Sequence, residues 1–167
     1  WEKIAADYSI DKNIEEILNA QLSLKLKMLK KADLKPIDGI PELLKRIRLT
    51  DYPIAVASSS SAIFIKQVLA KIGLDYYFDV FVSGESVPRS KPEPDVFLKA
   101  AAALGVNPED CVVIEDSRNG TLAAKRAGMK CVGYRNPHPG NQDLSAAGLI
   151  VEDFKTVDIK TLQSLWK

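Results

Sequence analysis

No Asp-x-Asp follows an apolar run anywhere in the 167 residues. Cysteine is scarce as well. Cys111 and Cys131 each sit in an apolar run (DCVVIED and MKCVGY), which reads as two buried structural thiols rather than a redox pair or metal site. No stretch of 18 apolar residues is present, which leaves no candidate membrane-spanning helix. With a net charge near +1 there is no general attraction to nucleic acid or to an acidic membrane surface. The absence of both GxGxxG and a lysine after a glycine-rich turn disfavours a nucleotide-binding or receiver-like domain. The opening WEKIAADYSIDKNIEE has charges where a secretory signal has its apolar core, so the expected compartment is the cytoplasm.

What is present begins with a helix. Ile14, Ile17, Leu18, Leu22, Leu24, Leu26, Met28 and Leu29 recur at helical spacing, with Asp11 as a candidate N-cap. Lys25, Lys27, Lys30 and Lys31 form its expected solvated side, from which a lid could still turn one toward a substrate. KPIDGIPE then packs two prolines and a glycine into eight residues, a hinge-like connection, with Pro41 suited to the first turn of the next helix. Alternation follows. Strands are expected at Pro53–Ala57, Val80–Val82, Cys111–Ile114, Lys130–Tyr134 and Leu149–Val151. Helices are expected at Ser61–Ile72, Asp95–Leu104, Gly120–Ala127 and Val157–Trp166. Repeated strand–helix units with doubly apolar strands predict an α/β fold, a parallel sheet covered by helices on both faces.

Three polar signals stand just past successive apolar runs. In a parallel α/β sheet, ligands bind outside the carboxyl ends of the strands, so these endings are expected to face one crevice. Ser58 opens a run of four serines, whose hydroxyls and helix N-terminal amides suit a phosphate; one of them capping the helix is the plainer alternative. Lys91 lies in SKPEPDVF, where Pro92 and Pro94 stiffen the backbone and present the ammonium from a fixed loop, against the alternative of a solvated surface lysine. Glu115 and Asp116 close CVVIEDSRNG; their hard oxygens suit Mg²⁺, and the alternative is a polar loop with Asp116 capping the next helix. Arg118 beside them and His138 in NPHPGN read as surface residues.

Together VASSSS, SKPEPDVF and VVIEDSRNG resemble motifs two, three and four of the haloacid dehalogenase-like phosphohydrolases, in the branch with β-phosphoglucomutase and the small sugar-phosphate phosphatases. The resemblance runs from about Ile40 to Lys167. It implies a Rossmann-like core over residues 36–167, with residues 1–35 as the rear of an α-helical cap. It further implies that Ser58, flanked by Ser59 and Ser60, binds the transferring phosphoryl group of a small phosphorylated substrate. Lys91 would contact that group and the nucleophile, and Glu115 and Asp116 would hold Mg²⁺. The nucleophile of the family, the first Asp of a DxD strand that forms an aspartyl-phosphate, has no counterpart here. Because the chain opens on Trp1 without it, the expectation is a piece of a longer polypeptide that is inactive alone, whose sheet lacks a middle strand and exposes two strand edges. Some mutase-like members carry a basic residue where Ser61 stands, which tilts the resemblance toward hydrolysis. A non-catalytic phosphate-binding or regulatory domain is the competing reading; oligomeric state is not legible.

Overall fold

The computed structural model describes residues 7–8, 13–137 and 142–166. Asp11 and His138 lie outside the described residues. Helix α1 (Ile14–Lys31) starts at Asn13, whose side chain accepts the Glu15 amide at 2.9 Å. Glu15 and Glu16 in its first turn and Lys30 and Lys31 in its last complement the helix dipole. The apolar set on this helix is only partly used. Leu29 is buried, but Leu18, Leu24 and Met28 stand exposed; among the described residues α1 packs chiefly on α3. The four lysines of α1 are exposed as expected.

Helix α2 (Ile40–Ile47) carries a proline in its first turn and follows Gly39 at φ 82°. A side chain at Gly39 would strike the Lys155 amide at 2.6 Å, so both its left-handed backbone and the close passage of the 154–155 segment require glycine. Beyond it come β1 (Ala55–Ser58), α3 (Ala62–Lys71), β2 (Val80–Ser83), α4 (Asp95–Leu104), β3 (Val112–Glu115), α5 (Arg118–Arg126), β4 (Lys130–Tyr134), β5 (Leu149–Val151) and α6 (Ile159–Gln163). Every strand and helix of the expected alternation is found, with ends shifted by a residue or two. The exception is the last helix. Asp158 and Thr161 form a reciprocal capping box that starts α6 at Ile159, and Ser164–Trp166 is a separate 3-10 turn.

All strand pairings are parallel, and they fall into two pieces, β1–β2 and β3–β4–β5. Among the described residues β1 and β3 are not hydrogen-bonded to each other, so each keeps one unpaired edge. A shared core spans the pieces. Val82 of β2, Val113 of β3 and Cys131 of β4 pack with Val96, Phe97, Ala100 and Ala101 of α4 and Ala123 and Ala124 of α5. On the opposite face Tyr134 packs with Leu43, Phe154 and Val157. Cys131 and Tyr134 point to opposite sides of one strand, as period-2 alternation demands, so helices cover both faces. Among the described residues no helix is long and apolar enough to cross a membrane.

Candidate active site

Because the strands are parallel, their last residues share one edge: Ser58 and Ser83 are register partners on β1 and β2, and Glu115 ends β3 opposite Gly133 of β4. Over that edge lies Lys91. Its ammonium donates to the Ala57 carbonyl at 3.2 Å and to Glu115 Oε1 at 2.5 Å, and sits 4.5 Å from the centre of the Phe97 ring. One cation thus ties the ends of two strands that make no ladder with each other. Lys91 and Glu115 are only 10% and 11% exposed, so the pair is nearly removed from water. A solvated surface lysine is excluded.

The serine run divides its labour. Ser61 is the N-cap of α3, accepting the Phe64 amide at 3.3 Å, so the capping role falls on the last of the four. Ser58 Oγ accepts the Ser60 amide at 3.1 Å, which curls the loop and leaves the Ser58 hydroxyl proton available. Beneath the loop, Ser83 Oγ donates to the Ser60 carbonyl at 2.8 Å. A side chain at Gly84 would meet Ser59 Cα at 2.9 Å, so the two strand-end loops are in close contact. Ser59 is exposed and Ser58 and Ser60 are half-buried.

The two adjacent acids have different surroundings. Glu115 Oε2 accepts the amides of Asp116 and Ser117 at 3.1 and 3.2 Å and the Ser117 hydroxyl at 3.0 Å, while Oε1 takes the ammonium. A side chain at Gly120 would run into this carboxylate, so glycine in the first turn of α5 makes the space for it. Ser117, not Asp116, caps α5 by accepting the Gly120 amide at 3.0 Å. Asp116 is therefore released from capping and is exposed. Its Oδ2 accepts from Asn136 at 3.4 Å, and its backbone carbonyl accepts from Gln142 at 3.0 Å. Arg118 is exposed and pairs with Asp143 at 3.5 Å.

Could this donor set hold a divalent cation? Among the described residues no three His, Cys, Asp or Glu side chains cluster closely enough to enclose one. Among the described residues Asp116 has no cationic partner, and its exposed hard carboxylate fits Mg²⁺ as one ligand among waters. Glu115 already neutralises Lys91. Nearby, burial pushes the Cys131 thiol up to about 12, with the Glu115 charge adding to the shift and Lys91 opposing it. Cys131 stays a protonated core group, and half-buried Cys111, its thiol 3.4 Å from the Asn107 carbonyl, is likewise raised by burial.

Sequence reasoning named Ser58, Ser59, Ser60, Lys91, Glu115 and Asp116 and missed Ser83, Asn136 and Gln142. Ser83-Gly84 at the end of an apolar run carried the same signal as Ser58 and could have been found. The others act through contacts no spacing announces.

Known proteins resemble this chain along most of its length. The validoxylamine A 7'-phosphate phosphatase of Streptomyces hygroscopicus subsp. limoneus is 34% identical over 121 residues, 72% of this chain and 56% of that protein. The β-phosphoglucomutase of Bacillus subtilis is 32% identical over 149 residues, 89% of this chain and 62% of that enzyme. Among solved structures, CbbY from Rhodobacter sphaeroides in complex with phosphate superposes with a TM-score of 0.85 at 25% identity, covering 92% of this chain and 70% of that one. The chain spans about half the length of the curated relatives it matches. The model of the haloacid dehalogenase-like hydrolases matches residues 2–134, a span that takes in the serine loop, the buried lysine and both acids, and the chain belongs to that family.

Proposed function

We propose that this chain carries the phosphate- and metal-binding half of a Mg²⁺-dependent phosphohydrolase or phosphomutase acting on a small phosphorylated metabolite, most plainly a sugar phosphate. The attacking carboxylate, which becomes an aspartyl-phosphate, comes from an Asp-x-Asp strand outside the 167 residues. The observation that carries this reading is Lys91. Its nearly dry ammonium stands between the unpaired ends of β1 and β3, where an incoming strand-end carboxylate and its phosphoryl group would both meet it.

Each residue has a part. Ser58, Ser59 and Ser60 hold phosphoryl oxygens through hydroxyls and loop amides. Lys91 neutralises charge on the transferring group while the Glu115 carboxylate keeps it aimed. Asp116 provides an oxygen ligand on the metal side, and Glu115 stands beside it with its oxygens taken by Lys91 and by the Asp116 and Ser117 donors. The bound cation would supply Lewis-acid stabilisation of the transferring phosphoryl group. Residues 1–35 are the rear part of a helical cap over the core of residues 36–167, and the expected compartment is the cytoplasm, in keeping with two free thiols.

The test is hydrolysis of p-nitrophenyl phosphate and hexose phosphates with Mg²⁺ by the chain preceded by an Asp-x-Asp segment. Lys91→Ala and Asp116→Ala should each remove most of the activity. Turnover that survives both changes would sink the reading. Phosphate binding without any turnover would favour the non-catalytic domain instead.

A further inference from the structure

Asp116 is reached by two amide side chains from the connection after β4, and no sequence motif named either. Asn136 Nδ2 donates to its carboxylate Oδ2 at 3.4 Å, and Gln142 Nε2 donates to its backbone carbonyl at 3.0 Å. The same Gln142 nitrogen also reaches the Tyr134 carbonyl at 3.4 Å, bridging the ends of β3 and β4. We propose that Asn136 and Gln142 are positioning residues that set the Asp116 backbone and carboxylate for the divalent cation; this rests on the metal reading above.

The chemistry favours amides here. A cation ligand must keep its negative charge available, so a lysine or arginine on Asp116 would compete with the metal. A neutral amide orients the carboxylate without cancelling its charge. The neighbouring acid shows the contrast: Glu115 faces an ammonium at 2.5 Å and is already charge-compensated. Asp116 Oδ2 is held by Asn136, while Oδ1 accepts no hydrogen bond among the described residues and remains open for a ligand. Gln142 fixes the peptide, so the Asp116 side chain leaves the strand end in one direction. Hydrogen-bonded support of a ligating carboxylate typically changes metal affinity by about 10–100-fold.

The experiment is Mg²⁺ titration by calorimetry on the full-length polypeptide, comparing wild type with Asn136→Ala, Gln142→Ala and Asp116→Ala. Gln142→Met serves as a shape-matched variant without the donor, in case the alanine form fails to fold. The expected result is a Kd for Mg²⁺ raised about 10–100-fold in each amide variant, with the melting temperature unchanged. Activity of the amide variants should return on raising Mg²⁺, whereas that of Asp116→Ala should not. If Asp116→Ala abolishes binding and the amide variants bind within about twofold of wild type, the positioning role is wrong and the metal reading stands. If Asp116→Ala itself binds Mg²⁺ like wild type, both fall together.

Discussion

The two pieces of the sheet obey the same packing rules and end in opposite chemistry. β1 and β2 finish in hydroxyls: Ser58 through Ser61 on one and Ser83 on the other. β3 finishes in two acids, and Asn136 and Gln142 follow the end of β4. The first piece is a set of neutral donors arranged by a curled backbone; the second is negative charge held in place by a cation and amides. Lys91 is the link between them, and its value depends on being nearly dry. Elsewhere the chain has ion pairs of similar length, such as Arg48–Asp79 at 2.9 Å, but with side chains 32% and 41% exposed. Water competes with the exposed pair and hardly with the buried one, so distance alone does not rank them.

The largest effect is expected from Lys91→Met, which keeps apolar volume against Phe97 but leaves Glu115 buried without its cation. Losing one partner of a buried pair costs about 3–5 kcal/mol, to be read from urea denaturation. A loss below about 1 kcal/mol would reduce this pair to the rank of a surface one. Gly120→Ala comes next. In an ordinary helix this change stabilises by up to about 1 kcal/mol, but here the methyl collides with the Glu115 carboxylate. A net destabilisation of about 1–3 kcal/mol is expected, and a stabilised variant would show that the carboxylate can leave its place freely.

Ser83→Ala probes the hydroxyl side. It removes the 2.8 Å support under the Ser60 carbonyl, with an expected cost of about 1 kcal/mol and weaker phosphate binding. Unaltered phosphate affinity would mean that the serine loop holds its shape without β2. The smallest effect concerns Asp79, whose carboxyl is held below its ordinary range first by Arg48 and then by the Ile54 amide. A group depressed on folding stabilises above its unfolded pKa, about 3.9, and that contribution is lost as pH falls through the lower folded value. Asp79→Asn should therefore flatten the acid limb of urea midpoints measured from pH 6 to 2.5. Identical acid limbs would remove Asp79 from the account.

Much of the fold was readable because its causes are local. Gly105 and Gly128 stop α4 and α5 where expected, and strands apolar on both faces announced a buried parallel sheet. Local rules failed where a neighbour decided. Leu18, Leu24 and Met28 fit a helical stripe, yet α1 buries chiefly Leu29, since the width of a buried stripe depends on what packs against it. Likewise Asp116 and Ser117 both suit an N-cap; the choice of Ser117 depends on how β3 ends.

By itself the sequence determined the alternation of elements, the residue types at each strand end, and the want of an Asp-x-Asp, because periodicity and composition are properties of adjacent residues. Only the tertiary structure decided that Lys91 reaches Ala57 and Glu115 together, that Glu115 is compensated while Asp116 is open, and that Gly120 leaves room for the difference. The two Lys91 contacts join residues 34 and 24 positions apart, and burial sets their strength, which no local pattern of side chains records.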